Sequence, residues 1–175
     1  RRPLVGGGQR LQAPSDPLID DERFEAHQVQ RLATTMESLL SFARPPKTRL
    51  RESDVNSTLE KVLFLIRQQQ QVRGGAVAVE ASLDASLPPV LADAGQMEQV
   101  LLNICLNACQ AMNGKGGTLL VRSTALDGRI QVEIQDSGPG IPAEARSQIF
   151  KPFFTTKREG NGLGLAISAR IVAEH

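Results

Sequence analysis

The sequence has no tryptophan and no tyrosine, and its aromatic residues are six phenylalanines. The hydrophobic core must therefore be built mainly from aliphatic side chains. The formal net charge is +1, which excludes a broad basic surface for nucleic acid. No window approaches the roughly 18 apolar residues of a membrane span, and no signal peptide opens the chain. These absences predict a cytoplasmic segment without membrane contact, and they leave open a membrane anchor upstream.

Cysteine is also scarce, with only Cys105 and Cys109 in the chain. Four residues apart, the two thiols share one face of a helix. No second cysteine pair and no nearby histidine completes a metal site. We expect buried, reduced thiols.

The length of 175 residues suggests one full domain and part of another. Residues 1–19 are irregular in pattern, whereas residues 20–43 predict an amphipathic helix that Asp20 or Asp21 can cap. Pro45 and Pro46 end that helix. The helix needs a partner to bury its apolar stripe, which consists of Val29, Leu32, Met36, Leu39, Leu40 and Ala43.

From about residue 50 the pattern becomes that of an α/β domain. Helices are predicted over 53–71, 94–112 and 162–175, and strands over 76–83, 118–126 and 129–136, with a short extended piece at 87–93. Asp127 and Gly128 favour a hairpin between the last two strands. On the first helix, which Ser53 or Asp54 can cap, the predicted inner residues are Leu59, Val62, Leu63, Leu65 and Ile66.

The helix over 94–112 carries two asparagines, Asn103 and Asn107, whose amides point the same way because they are four residues apart. Cys105 is about 200° away, so the cysteines take the opposite face. An amide pair in an apolar helix is costly unless it finds partners. The pair alone favours a satisfied structural contact over a binding site.

Two glycine-rich motifs follow. Asp136 ends a strand and leads into Gly138 and Gly140, where the backbone can come close to a flat ligand; an Asx-type turn is the simpler alternative. Gly160, Gly162 and Gly164 alternate before a helix whose N–H groups suit phosphate. The second motif is neither a dinucleotide fingerprint nor a P-loop.

The motifs together resemble a known family. In order, "NICLNA", "DSGPGI", "IFKPFFTTK" and "GNGLGLAI" are similar to the N box, first glycine box, F box and second glycine box of sensor histidine kinases. Gyrase-type topoisomerases, Hsp90 chaperones and MutL share the ATP-binding domain. The wording "FFTTK…GLGLAI" resembles the short-lid kinases related to nitrogen-regulation and oxygen-sensing kinases.

The resemblance implies an α+β fold, a two-layer sandwich of the Bergerat type with a mixed sheet. It implies ATP and Mg²⁺ as ligands. Asp136 would accept the adenine amine, Asn107 would bind magnesium, and Asn103 and Lys157 would act at the phosphates as catalytic residues. Phe150, Phe153 and Phe154 would pack the lid, and ordinary core contacts of these side chains are compatible with that role. The full implied ATP-binding set is Asn103, Asn107, Asp136, Gly138, Gly140, Ile141, Phe154, Thr155, Thr156, Lys157, Gly160, Gly162, Leu163, Gly164 and Leu165.

Asn103 helps to choose among these relatives. In the hydrolytic members a glutamate one turn before the metal-binding asparagine activates water, and an amide is not a general base. This favours phosphoryl transfer to a protein nucleophile over hydrolysis. The resemblance then implies a protein-histidine kinase with a response regulator as partner. A non-catalytic ATP-binding scaffold stays open, and a hydrolytic ATPase is disfavoured.

A histidine kinase needs a phosphoacceptor histidine. The chain has two histidines, His27 and His175. "LLSFARPP" resembles the end of the second helix of the kinase dimerisation hairpin, so His27 is a poor candidate. Aligned on Pro3 and Leu4, the family's acceptor falls just upstream of Arg1. We therefore expect part of a homodimerising hairpin over 1–46 and a catalytic domain over 47–175 that lacks its last strands.

Overall fold

The structure is a computed structural model that describes residues 47–72, 77–112, 115–157 and 160–175, with six further residues described singly. The remaining residues of the predicted helix over 20–43, His27 and the candidate caps Asp20 and Asp21 lie outside the described residues. The six single residues are helical and exposed, and they are Val29, Leu32, Met36, Leu39, Leu40 and Ala43.

The chain divides into two compact units, Arg1–Glu37 and Ser38–His175. The first contains three described residues, Val29, Leu32 and Met36, all helical. The second contains every strand described below. The domain boundary expected between residues 46 and 47 stays a prediction.

Among the described residues after residue 50, nine elements are present. They are β1 (Arg51–Ser53), α1 (Val55–Val72), β2 (Val77–Leu83), β3 (Val90–Ala92), α2 (Ala94–Ala111), β4 (Gly117–Leu126), β5 (Arg129–Asp136), α3 (Ala143–Arg146) and α4 (Gly164–Glu174). None of the described helices is both long enough and apolar enough to cross a membrane.

The strands form two sheets. β1 and β3 pair antiparallel as a two-stranded sheet. In the other sheet, of order β2-β4-β5, β2 runs parallel to β4, and β4 runs antiparallel to β5. This mixed sheet with its helices confirms the predicted α+β class.

Local sequence explains the boundaries. The Asp54 carboxylate accepts from the N–H groups of Asn56 and Ser57, at 2.8 and 3.2 Å, and so caps α1. Asp127 and Gly128 both have positive φ, 50° and 74°. Two such residues form the turn type that matches the twist of a hairpin, as the sequence predicted.

The main core lies between the sheet and helices α1 and α2. Helix α1 contributes Leu59, Val62, Leu63 and Ile66, which follow the i, i+3, i+4, i+7 pattern of one helix face. Leu65 was predicted to join them, and this was wrong: its side chain is 44% exposed. At 100° per residue Leu65 falls outside the arc of the other four.

A second cluster joins α2 to α4. Val100 of α2 packs with Leu163, Ile167 and Ile171, all of which are buried. Helix α2 therefore belongs to both clusters, and its remaining face carries the polar residues of the candidate site.

Candidate site on helix α2

The polar face of α2 is organised around Asn103 and Asn107, which are both half-buried. The Asn107 amide nitrogen donates to the Asn103 amide oxygen at 3.4 Å. Partners for both amides come from other elements, as the cost of burying an amide requires.

Cys105 and Cys109 lie on the opposite face, in the core, and both are free thiols. The prediction of buried reduced cysteines is confirmed. Burial raises the pKa of Cys105 to about 12, with a smaller contribution from Cys109. The pKa of Cys109 is also raised, first by burial and then by the negative charge of Asp136.

The second glycine motif packs against Asn103. Gly164 is the first residue of α4, and a Cβ there would collide with the Asn103 amide oxygen. One turn later, Ser168 is buried and its Oγ accepts from the Asn103 amide nitrogen at 3.0 Å. Leu163 precedes α4, and its apolar side chain cannot cap the first N–H groups, so this helix start suits an anion.

The loop between the two glycine motifs reaches the same face through Lys157. Its Nζ donates to the amide oxygen of Asn107 at 2.6 Å and to that of Gln110 at 2.5 Å. Lys157 is exposed as a whole, but partial burial of its ammonium lowers its pKa. Gln110 was absent from the predicted set, although its spacing of three residues from Asn107 places it on the same face.

These contacts bear on whether the residues fit magnesium. Two neutral amide oxygens, from Asn107 and Gln110, both accept from the ammonium of Lys157. Mg²⁺ prefers oxygen ligands and commonly keeps waters and substrate phosphates in its shell. The amide oxygen of Asn107 therefore fits the predicted role of a magnesium ligand. Gln110 could supply a second oxygen, and waters and phosphates would complete the shell.

The first glycine motif lies against the last turn of α2. The Gly138 N–H donates to the Asp136 carboxylate at 2.9 Å, so the Asx-type turn considered from the sequence is present. A Cβ at Gly138 would lie 2.6 Å from that carboxylate and 3.5 Å from the Ala111 Cβ. A side chain at 138 would therefore displace the Asp136 carboxylate, whereas Gly140 favours glycine through its φ of 76°.

The loop phenylalanines differ in environment. Phe150 and Phe153 are 57% and 60% exposed, so ordinary core contacts are wrong for both. Phe154 is half-buried. Phe153 has a φ of 68°, and its N–H donates to the Gly162 carbonyl at 2.9 Å. A Cβ at Gly162 would strike the Phe153 backbone.

The other predicted residues lie around this loop. Thr155 accepts from the Lys157 N–H at 3.1 Å, and a Cβ at Gly160 would lie 2.6 Å from its hydroxyl. Leu163 is fully buried, Leu165 is half-buried, and Ile141 and Thr156 are exposed. No described contact joins these four to Asn103 or Asn107, and their place in the ATP site stays a prediction.

The predicted motifs thus contact α2 at successive positions from its middle to its carboxyl end. Gly164 and Ser168 meet it at Asn103, Lys157 meets it at Asn107 and Gln110, and Gly138 meets it at Ala111. With a rise of about 1.5 Å per residue, the stretch from 103 to 111 covers about 12 Å.

His175 lies near the other end of α2. Its Nε2 accepts from the Asp93 N–H at 3.0 Å, and its Nδ1 lies 2.8 Å from the Ile171 carbonyl. Asp93 caps α2, about 21 Å along the helix axis from Asn107. Both ring nitrogens of His175 are engaged by the backbone, so its role is structural.

Comparisons with known proteins give the family of the chain. Residues 92–175 match the family described as histidine kinase-, DNA gyrase B- and HSP90-like ATPase. The chain is 34% identical to the signal transduction histidine-protein kinase AtoS of Escherichia coli K12 over 94% of this chain and 27% of that protein. It is also 34% identical to the sensory histidine kinase/phosphatase NtrB of Rhodobacter capsulatus over 92% of this chain and 46% of NtrB.

Solved structures give the same result. The catalytic domain of the histidine kinase ThkA is 32% identical, with a TM-score of 0.65 over 72% of this chain and 81% of that domain. The chain belongs to the sensor histidine kinases. It corresponds to their ATP-binding catalytic core. Full-length ShkA in complex with AMPPNP is 30% identical, with a TM-score of 0.74 over 94% of this chain and 35% of ShkA.

This sensor histidine kinase core spans about a quarter to a half of the length of the two curated relatives named above. The family membership fixes the class of the domain and its nucleotide, ATP. The roles of single residues rest on the geometry of this chain.

Proposed function

We propose that the chain binds Mg-ATP between α2 and the loop from Asp136 to Gly164, and that the γ-phosphate passes to a histidine on a paired helical hairpin. An aspartate of a response regulator would then receive it. The relative ThkA has been solved in complex with the response regulator protein TrrA, which supports this choice of partner.

The observation that carries the proposal is the contact of Lys157 with Asn107 and Gln110, next to Asn103 and the start of α4. An ammonium, two amide oxygens and an uncapped helix start lie along one face. This combination suits a triphosphate with its metal.

Each residue has a proposed part. Asp136 keeps one carboxylate oxygen bonded to Gly138 and uses the other to accept the adenine amine. Asn107 presents its amide oxygen to Mg²⁺, which neutralises phosphate charge when it is bound. The first N–H groups of α4 hold phosphate oxygens, and Lys157 moves from its amide partners to the terminal phosphate. Catalysis comes mainly from positioning and charge neutralisation.

Two rival functions use the same site. A hydrolytic ATPase needs a base to activate water, and the candidate residue one turn before Asn107 is Asn103, whose amide bonds Ser168 and Asn107. An amide so engaged is not a base. An ATP-binding scaffold would use the site without transfer.

One experiment separates the three functions. The chain is incubated with γ-labelled ATP and a partner protein that bears an intact acceptor helix. Acid-labile label on the partner supports the kinase, bound ATP without label supports the scaffold, and released phosphate alone supports the ATPase.

The site itself is tested by Asn107→Asp and Asp136→Asn, with ATP affinity as the measurement. We expect both substitutions to weaken ATP binding. Unchanged affinity in both variants would falsify the site assignment.

The segment over 1–46 is proposed as part of a dimerisation hairpin. The helical residues Leu32 and Met36 are 68% and 53% exposed, and an apolar stripe of this kind is typical of helices that pack in a four-helix bundle. Sedimentation of the chain would detect the homodimer.

A further inference from the structure

The polar face of α2 contains a chain of three hydrogen bonds that all run in one direction. Lys157 donates to Asn107 at 2.6 Å, Asn107 donates to Asn103 at 3.4 Å, and Asn103 donates to Ser168 at 3.0 Å. The chain begins in the loop, crosses α2 and ends on α4.

The direction follows from the chemistry of the first donor. An ammonium has no acceptor, so Asn107 must turn its oxygen toward Lys157. The Asn107 nitrogen then faces Asn103, which must turn its own oxygen toward it. The Asn103 nitrogen is left facing α4, where it needs an acceptor.

Ser168 supplies that acceptor. Its side chain is 5% exposed, and its Oγ lies one turn beyond Gly164, whose missing Cβ leaves room for the Asn103 amide oxygen. Ser168 lies outside the set of residues that the family resemblance assigns to ATP.

We propose that Ser168 is a positioning residue, which holds the amides of Asn103 and Asn107 so that the Asn107 oxygen faces the cation of the nucleotide site. The inference rests on the proposed function. A bound metal requires the same orientation of Asn107 as the ammonium of Lys157, because both are positive.

Loss of the Ser168 hydroxyl has a specific consequence. The Asn103 nitrogen loses its acceptor in a half-buried environment, and an unsatisfied amide is costly there. Rotation of the Asn103 amide offers its nitrogen to Asn107, which then rotates and presents its own nitrogen to the metal. The defect therefore appears in the metal-dependent part of nucleotide binding.

The test measures the dissociation constant of ADP by calorimetry on the full chain, with magnesium chloride and with EDTA. The ratio of the two constants is the enhancement of binding by the metal. Ser168→Thr and Ser168→Val form a matched pair of equal shape, in which only Thr keeps a hydroxyl.

In Ser168→Val we expect the enhancement to fall about tenfold, which corresponds to about 1.4 kcal/mol, while the constant measured in EDTA changes less than about twofold. Ser168→Thr should keep the enhancement. Equal enhancement in the Val and Thr variants, or an equal loss with and without metal, would overturn the role of Ser168.

A double-mutant cycle adds a second criterion. If Ser168 acts through Asn103, then Ser168→Val has no further effect on the enhancement in an Asn103→Ala background. Additive effects would contradict the proposal. Thermal melting of each variant in EDTA identifies variants that do not fold.

If the Val variant does not fold, the unsubstituted chain still provides a test by nuclear magnetic resonance. The side-chain amide protons of Asn103 should show a nuclear Overhauser effect to the β protons of Ser168, before and after addition of ADP with magnesium. Loss of this effect on metal binding would contradict the inference. Absence of any ADP or ATP binding by the unsubstituted chain would instead overturn the proposed function.

Discussion

Gly164 lies so close to Asn103 that a single methyl group on its Cα would collide with the Asn103 amide oxygen. This contact joins the start of α4 to the polar face of α2. Gly95, in the first turn of α2, provides the matched control: a Cβ there would lie 3.5 Å from the Asp93 carboxylate, which is ordinary contact.

The two glycines lead to opposite predictions. Gly164→Ala should weaken ATP binding at least about tenfold, because the displaced Asn103 amide costs about 1.4 kcal/mol or more of binding energy. Gly95→Ala should leave ATP binding unchanged and raise the free energy of unfolding by up to about 1 kcal/mol, since alanine favours a helix over glycine. Calorimetry and urea unfolding measure these effects. Equal ATP affinity in the two variants would contradict the importance of the contact.

Lys157 gives a second prediction. Lys157→Met removes the ammonium from Asn107 and Gln110, and it should reduce ATP affinity more than ADP affinity, because the proposed target is the terminal phosphate. Lys151→Met, an exposed lysine of the same loop, is the control and should leave both affinities unchanged. An equal loss for ATP and ADP would place the Lys157 contact elsewhere on the nucleotide.

The fold was largely predictable because its elements are marked by local patterns. The interval of three or four residues in α1 and the positive-φ turn at Asp127 and Gly128 depend on near neighbours alone. Leu65 was misplaced because the spacing of apolar residues does not locate the edge of the buried arc.

The site was only partly predictable. The Asn103 and Asn107 pair was visible as a spacing, but Gln110 became a candidate only through Lys157, which is 47 residues away along the chain. The role of Ser168 could not be predicted for the same reason, because its contact with Asn103 depends on how α4 packs against α2. Long-range contacts of this kind carry no local pattern.

The cysteines yield a prediction about reactivity with its pH dependence. A thiol reacts as its thiolate, and burial raises the pKa of Cys105 to about 12, so the folded chain keeps it protonated at pH 8. Neither Cys105 nor Cys109 should react rapidly with a thiol reagent at pH 8, and both should react after denaturation in urea. Above the ordinary thiol pKa, unfolding releases these protons, so the two thiols lower the free energy of unfolding as pH rises. Mass spectrometry counts the modified thiols, and fast labelling of the folded chain would contradict their burial.

The cap formed by Asp93 leads to a prediction about the free energy of unfolding at low pH. Its carboxylate accepts from the N–H groups of Arg49 and Gln96, at 2.9 and 3.2 Å, and these bonds lower its pKa. Because the folded-state pKa lies below the unfolded value, its stabilisation is present above the unfolded value of about 3.9 and is lost as pH falls through the folded value. Asp93→Ala should cost about 1 kcal/mol of unfolding free energy at pH 7, as for other helix caps.

Asp93→Asn is the control for that prediction, since asparagine also caps helices. It should retain most of the stability at pH 7, and unfolding curves from pH 7 to pH 2 should show its difference from the unsubstituted chain shrinking. A constant difference across that range would contradict the pKa assignment of Asp93.

The contact between Lys157 and Gln110 has an electrostatic consequence for α2. The helix has no basic residue in its last turn, yet its carboxyl end carries partial negative charge, and a cation there is worth about 0.3–1 kcal/mol. Lys157 supplies that cation from a distant loop, while the Asp93 carboxylate lies at the amino end. Departure of Lys157 toward a phosphate therefore removes this dipole stabilisation together with the hydrogen bonds to Asn107 and Gln110, and increasing salt weakens the dipole contribution further. The loop thereby exchanges two neutral amide acceptors and the partial charge of a helix end for the full charge of a phosphate.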